Sequence, residues 1–366
     1  MRAKRTLYVL PATGFAGAND HTAATCRDLA ARLAVILDHH FGGELERGEV
    51  PAPGAYFVPG ATLHADQASA LGIRSENDLL GGVVPRAFLA TKTISHAAIG
   101  PEAVVPEGWS HDLARALGDA VLPGYSAFSM DEARVAGRRL LPRGAVRVKL
   151  ASGVGGSDQH TVVDGDGLDV ALAGFVPGEV RRHGVVLELA LDEAVAYSIG
   201  QLRVAGECIA YHGVQHNVVD ARGREVYGGS ELTVVRGNFD ALLQLSLPSS
   251  LQHAVERAIR YDRAVSAAYP GILASRRNYD VVAGIDADGA SHCGVLEQSW
   301  RIGGATPAEL AALAAFRADP ERRVVRASCH EAWSHAPPPA GATVHYRGDD
   351  GVAGMVCKYS LVEEPA

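Results

Sequence analysis

The sequence predicts an α/β protein in which a parallel-sheet domain is followed by two α+β lobes. The N-terminal third alternates apolar, strand-like runs with an amphipathic helical pattern. Two later regions each contain β-branched runs together with a helix that has a capping signal. A chain of 366 residues is long enough for two or three packed domains.

The N-terminal domain is predicted to span residues 1–98 and to have a Rossmann-like parallel sheet. Residues 6–10 and 55–58 have the composition of strands, and residues 22–37 between them have the apolar stripe of a helix. This order favours a parallel sheet covered by helices. Gly14 and Gly17 follow the first strand and could admit a phosphate or carboxylate at the next helix, although the spacing of a dinucleotide fingerprint is missing.

The second region is predicted to span residues 99–183 and to contain a linker, a helix and a small lobe. Ser129 with Glu132 three residues later forms a capping box for a helix that ends before Pro142. A β-branched strand with Lys149 near its end follows, and a Gly/Ser-rich loop connects it to the next strand. The remaining residues, 184–366, form the third region.

The Gly/Ser-rich loop is the first candidate binding element. Glycines in such a loop allow backbone N–H groups to approach phosphate oxygens closely. The loop lacks the Gly-Lys-Ser/Thr ending of a P-loop and does not begin a helix. An ordinary turn remains the alternative interpretation. The loop residues that we expect to contact phosphate are Ser152, Gly153, Gly155, Gly156 and Ser157.

The segment CGVLEQSWRIGGA, residues 293–305, carries the second candidate element. Glu297, Ser299 and Arg301 alternate along a predicted strand and would therefore share one face. A carboxylate, a hydroxyl and a guanidinium in one row suit a hard cation and a phosphate. A strand with a solvated polar face is the alternative. Asp280 on the preceding strand is the candidate partner ligand, and Asp286 is its rival, although Asp286 fits a hairpin turn better.

In this order, the segments resemble the ATP-grasp superfamily. The shared order is a strand with a lysine, a glycine loop, a strand ending in Glu188, a further strand, and a late strand with the pattern Glu-x-(Asn)-x-Arg. The resemblance covers roughly residues 85–310 and is closest to an uncharacterised bacterial branch of the superfamily. It implies a nucleotide held between two α+β lobes, and a ligase that joins a small-molecule carboxylate to an amine through an acyl phosphate.

The resemblance also implies cofactors and residue roles. ATP and Mg²⁺ would be the cofactors. Besides the loop, the implied nucleotide-binding residues are Lys149 at the phosphates, Glu188 and Leu189 at the adenine hinge, and Glu193 at the ribose. The implied metal ligands are Asp280, Glu297 and Ser299, and the implied catalytic residues are Arg301 and Arg277, with Arg276 beside it. Ser299 stands where the family has Asn, so a non-catalytic nucleotide-binding or scaffold protein is the alternative.

Composition limits the other classes of function. A net charge of −8 argues against a general nucleic-acid surface. No apolar run approaches the roughly 20 residues of a membrane helix, so we expect no membrane partner. The five cysteines are scattered and form no CxxC pair, which favours reduced thiols in the cytoplasm. His212 and His216 would lie roughly 13 Å apart on a strand, too far for one zinc ion. A homodimer is a possible assembly.

Overall fold

The computed structural model describes residues 4–11, 20–151, 159–351 and 354–363, which form four β-sheets. The predicted phosphate-binding loop residues Ser152 to Ser157 lie outside the described residues, as do Gly14 and Gly17.

The N-terminal sheet has three parallel strands, as the sequence predicted. Its elements are β1 (Thr6–Leu10), α1 (Asp20–Ile36), β2 (His40–Glu44) and β3 (Tyr56–Pro59), with the strand order β2-β1-β3. Leu29 and Leu33 of α1 are buried with Leu7 and Val9 of β1. The sequence analysis missed β2, because its HFGGE segment contains two glycines and only one large apolar residue.

A short connecting region follows the parallel sheet. It contains β4 (Leu63–His64), α2 (Ala65–Ala70) and β5 (Gly82–Val84). Two 3₁₀ turns then cover Ala87–Ala90 and Lys92–Ser95. The second turn is buried along its whole length.

The small lobe is built around a four-stranded sheet. The helix α3 (Leu113–Leu117) precedes this lobe and is buried in a separate core. The elements of the lobe are β6 (Gly124–Ala127), α4 (Met130–Leu140), β7 (Val146–Leu150), β8 (Gln159–Val162), α5 (Gly165–Ala173), α6 (Pro177–His183) and β9 (Val185–Leu189). Half of the predicted capping box of α4 is present, since the Ser129 hydroxyl accepts the Glu132 N–H at 3.3 Å. The Glu132 carboxylate accepts the Val104 N–H at 2.7 Å instead of the Ser129 N–H.

The position of β9 differs from the predicted domain boundary at residues 183 and 184. The strand order β6-β9-β7-β8 places β9 in the interior of the four-stranded sheet. Its residues pair with β6 on one side and β7 on the other. The small sheet therefore extends to Leu189, and the large lobe begins after it. The sequence did not reveal this, because a buried strand is apolar whichever sheet it joins.

The large lobe contains the remaining elements. These are β10 (Asp192–Val204), β11 (Glu207–Val219), β12 (Glu225–Arg236), α7 (Phe239–Leu242), α8 (Ser249–Ala268), β13 (Leu273–Ala274), β14 (Arg276–Ile285), β15 (Ser291–Ser299), α9 (Thr306–Ala318), β16 (Val324–Ala332), β17 (Thr343–Asp349) and β18 (Met355–Val362). Eight of these strands form an antiparallel sheet in the order β15-β14-β10-β11-β12-β16-β18-β17. The short strand β13 pairs instead with β5 and so connects the large lobe to the region that follows the parallel sheet.

Helices cover both faces of the eight-stranded sheet. Leu310, Leu313 and Phe316 of α9 are buried in one core together with α1 and the parallel sheet. Val255 and Ile259 of α8 are buried in a second core on the opposite side. Side chains that alternate along β14 and β15 therefore point either toward α9 or toward α8. No helix in the described ranges has the length and apolarity needed to cross a membrane.

Candidate functional site

The centre of the candidate site is a pair of carboxylates on neighbouring strands. Asp280 of β14 and Glu297 of β15 are directly opposite each other in the antiparallel register. Opposed residues on adjacent strands place their side chains on the same face, within about 5.5 Å at Cβ. The predicted neighbourhood of Asp280 and Glu297 is therefore present in the structure.

Asp280 is held by two amide groups. Gln215 donates to its Oδ1 at 2.7 Å and Asn278 donates to the same atom at 3.1 Å. Burial, followed by the negative charge of Glu297, raises the pKa of Asp280 to about 6, although these two hydrogen bonds oppose the shift. A carboxylate pair of this kind favours a bound cation, because the cation would relieve the repulsion.

Lys92 contacts Glu297, one member of this pair. Its Nζ lies 2.9 Å from Oε2 of Glu297, and only 5% of the lysine side chain is exposed. Burial raises the pKa of Glu297, but the nearby Lys92, Lys149 and Arg301 charges lower it, and the net shift is downward. The sequence analysis missed Lys92, since ATKTISH has neither a strand period nor a glycine motif that would single out its lysine.

A second buried ion pair lies in the small lobe. Lys149 of β7 pairs with Oε1 of Glu188 on β9, and Nε2 of His96 lies 3.0 Å from Oε2 of the same carboxylate. Burial alone would raise the pKa of Glu188, but Lys149 and His96 lower it to about 2. Gly124 makes room for His96, because a Cβ there would lie 2.7 Å from the imidazole Nδ1.

These contacts change the expected role of the adenine-hinge residues. Lys149 and His96 engage the two oxygens of Glu188, so its carboxylate holds Lys149 in place rather than facing a base. The N–H of Leu189 donates to the Pro123 carbonyl at 3.0 Å and is therefore also occupied. The predicted ribose ligand Glu193 lies in an irregular part of β10 with φ 50° and is exposed.

Arg301 and Ser299 follow Glu297 at the end of β15. Burial, followed by the positive charge of Arg276, lowers the pKa of Arg301. The nearby carboxylates of Glu297 and Asp280 oppose this, but the net shift is downward. Its Nη1 donates to the Ile302 carbonyl at 2.7 Å. Ser299 is opposite Asn278 in the register. The Oδ1 of Asn278 accepts from the Ser198 hydroxyl at 2.7 Å and lies 2.7 Å from the Tyr211 hydroxyl oxygen. The amide oxygen of Asn278 therefore does not take the place of the family's Asn as a metal ligand.

Arg277 does not belong to this cluster, contrary to the sequence prediction. Arg277 lies three positions before Asp280 on β14. Its guanidinium pairs with Asp262 at 2.9 Å and with Glu76 at 3.1 Å. Residues three positions apart on a strand lie on opposite faces, which explains the separation.

Arg276 also has a structural role. Its guanidinium forms two hydrogen bonds with Glu309 of α9, at 2.8 and 2.7 Å, and both side chains are fully buried. Tyr211 donates to the same carboxylate at 2.6 Å. Tyr211 crosses over Gly200, where a Cβ would lie 2.2 Å from its ring, so this position requires glycine.

The rival metal ligand Asp286 lies in a hairpin turn. Its carboxylate accepts the N–H groups of Asp288 and Ala290 at 3.0 and 2.9 Å, and His292 lies 2.7 Å from it. This geometry agrees with the turn interpretation. Of the two aspartates, Asp280 is the one adjacent to Glu297.

Solved structures of ligases and carboxylases are similar to this fold. Phosphoribosylamine–glycine ligase from Thermotoga maritima superposes with a TM-score of 0.52 at 11% identity, covering 98% of this chain and 92% of that one. Pyruvate carboxylase from Rhizobium etli gives 0.52 at 12% identity, covering 99% of this chain but only 36% of that one. D-alanyl-alanine synthetase A from Vibrio cholerae gives 0.49 at 12% identity, with 84% and 93% covered. The chain has the ATP-grasp fold.

Comparison with curated protein sequences gives no match. A family model does match, and it spans nearly the whole chain. Because this match covers residues 9–360, the chain belongs to the family described as "Protein of unknown function (DUF3182)".

Proposed function

We propose that this protein is an ATP- and Mg²⁺-dependent ligase that joins a small-molecule carboxylate to an amine, or to a similar nucleophile, through an acyl phosphate. The observation that carries the proposal is the Asp280–Glu297 pair with Lys92, Lys149 and Arg301 around it. Two acids beside three cations match the charges of a metal–triphosphate complex.

The carboxylate pair fits Mg²⁺. Magnesium is commonly bound by one or two protein carboxylates, with phosphate oxygens and waters completing its shell. The described residues contain no cluster of three or more His, Cys, Asp and Glu side chains suited to a metal. Two protein carboxylates suit a metal whose other ligands are phosphate oxygens of a nucleotide and water. Asp280 and Glu297 would hold it, with Ser299 as a weaker oxygen ligand, and the metal would neutralise charge on the phosphates.

The chain's own residues would supply positioning and charge. Lys149 and Lys92 would contact phosphate oxygens from the small lobe and from the buried 3₁₀ turn. Arg301 would stabilise the negative charge that develops as a substrate carboxylate attacks the γ-phosphate. Catalysis of this type depends mainly on orientation and electrostatics, so no general base is required for the first step.

The alternative is a nucleotide-binding protein without turnover. It is favoured by Ser299 in place of the family's Asn and by the Lys92–Glu297 ion pair, which engages one of the two proposed ligands. Release of ADP and phosphate from ATP, screened with mixtures of carboxylates and amines, separates the two functions. Release that needs both a carboxylate and Mg²⁺ supports the ligase. Tight ATP binding without release under any combination supports the alternative.

A further inference from the structure

We propose that Gln298 is a positioning residue that holds the segment carrying Lys92 beside Glu297, so that the lysine lies at the nucleotide site. The inference rests on the proposed function for the role of Lys92, but the positioning itself is argued from contacts. Gln298 lies between Glu297 and Ser299 on β15, with its side chain on the opposite face of the strand.

The amide of Gln298 binds the backbone of the segment that carries Lys92. Its Nε2 donates to the carbonyl oxygens of Leu89 at 2.9 Å and Thr91 at 2.6 Å. Both partners can only accept, so the atom between them must be the nitrogen. The two bonds fix the chain immediately before the 3₁₀ turn that begins at Lys92.

The orientation of this amide is fixed in turn by two hydroxyls. Tyr261 of α8 donates to Oε1 of Gln298 at 2.9 Å, and the hydroxyl of Ser95 lies 3.0 Å from that of Tyr261. Ser95 is in the same 3₁₀ turn as Lys92. Ser95, Tyr261 and Gln298 therefore form a continuous series of hydrogen bonds that begins in the turn and ends on the backbone just before it.

The same turn is also attached to the small lobe. The Ser126 hydroxyl of β6 donates to the Thr93 carbonyl at 2.6 Å. The Lys92 turn is thus held by β15 from the large sheet and by β6 from the small sheet. Gln298 supplies the attachment to β15, the strand that carries Glu297. Two consecutive positions of β15 therefore provide Glu297 on one face and, through Gln298, the support for its lysine partner on the other.

Replacing Gln298 by methionine tests this directly. Methionine has a similar length but no donor for the carbonyls of Leu89 and Thr91, which would lose their partner. The matched control is Gln201→Met, since Gln201 is a buried glutamine of the same sheet whose Oε1 accepts the Phe239 N–H at 3.0 Å. Tyr261→Phe is a milder variant that keeps both Nε2 bonds and should have an intermediate effect.

The first measurement is the rate of lysine acetylation by an amine-reactive ester, quantified at each lysine by mass spectrometry. Lys358 is the internal reference, because it is also shielded and ion-paired, 2.8 Å from Glu331. In Gln298→Met we expect acetylation of Lys92 to rise about tenfold, a loss of protection of roughly 1.4 kcal/mol, with Lys358 unchanged. Unchanged acetylation of Lys92, or an equal rise at Lys358, would overturn the proposal.

The second measurement is a double-mutant cycle on MgATP affinity, with Lys92→Met as the other variant. If Gln298 acts through Lys92, its replacement weakens binding in the wild type and has no further effect in Lys92→Met. Additive losses would overturn the positioning role. A wild-type protein that does not bind MgATP would refute the proposed function, and the acetylation result would still decide the position of Lys92.

Discussion

Asp280 and Glu297 lie opposite each other on adjacent strands, and their charges are compensated differently. Glu297 contacts the ammonium of Lys92, whereas Asp280 accepts only amide hydrogen bonds among its side-chain contacts described above. The first carboxylate therefore stays ionised and the second has a pKa of about 6.

Glu297→Gln is expected to remove the Mg²⁺ dependence of ATP binding. The amide keeps the shape of the side chain but lacks the charge that the metal needs, so the apparent Mg²⁺ affinity should fall by tenfold or more, about 1.4 kcal/mol. Stability should change less, because Lys92 can still donate to the amide oxygen and the repulsion with Asp280 is relieved. ATP titrations at several Mg²⁺ concentrations, with melting curves on the same variant, make the comparison. A destabilised variant with a wild-type Mg²⁺ titration would contradict the metal role.

The affinity for Mg²⁺ in the presence of ATP should fall as the pH drops below 6. The pKa of Asp280 is raised, so its ionised form predominates above about pH 6 and is lost progressively below it. Each further pH unit removes roughly nine-tenths of the remaining ionised form. Titrations between pH 8 and pH 5 measure the effect. Asp280→Asn should bind the metal weakly at every pH, and an unchanged pH profile in that variant would exclude Asp280 as its origin.

Glu188 should contribute stability that is lost in acid. Its pKa is lowered from 4.5 to about 2, so the contribution is complete above pH 4.5 and disappears as the pH falls through 2. A shift of this size corresponds to about 3 kcal/mol. Glu188→Gln should be less stable at neutral pH, because Lys149 loses its counter-charge, yet should lose less stability between pH 4.5 and pH 2. Urea unfolding across this range makes the test, and equal acid losses in both proteins would refute it.

Lys149→Met should weaken ATP binding more than His212→Ala or His216→Ala does. The lysine would lose a charge-assisted contact with phosphate, worth roughly 1.5–3 kcal/mol. The histidines lie on β11 and should leave nucleotide affinity unchanged. Lys149→Met also strips Glu188 of a buried partner, so Lys149→Met/Glu188→Gln serves as the stability control. Equal affinity losses for all three single variants would remove the reason for assigning phosphate to Lys149.

MgATP should raise the melting temperature, whereas NADH should have much less effect. A ligand that binds only the native state stabilises it by about 2.7 kcal/mol at a hundredfold excess over its Kd. Thermal unfolding with each ligand at the same concentration provides the measurement. Stabilisation by NADH and not by ATP would contradict the proposed nucleotide.

The sequence predicted the parts of this site that depend on local pattern. The alternation of β15 and the order of the strands located Glu297 and Asp280, and the same alternation would also have excluded Arg277. Lys92 and His96 could not be found this way. They lie in irregular turns, and only the tertiary packing brings these turns against β15 and β9. Local pattern also could not show that β9 joins the four-stranded sheet, because pairing partners determine sheet membership.

The Lys92–Glu297 ion pair implies that metal and nucleotide bind in a linked manner. With neither ligand bound, the lysine and the carboxylate satisfy each other. A cation that takes over Glu297 frees the ammonium for a polyanion, and a polyanion that draws the ammonium away frees the carboxylate for a cation. Each ligand should therefore raise the affinity for the other by the same factor, as thermodynamic reciprocity requires. Without Lys92 the coupling between metal binding and nucleotide binding should decrease to the part that comes from direct attraction between the two ligands.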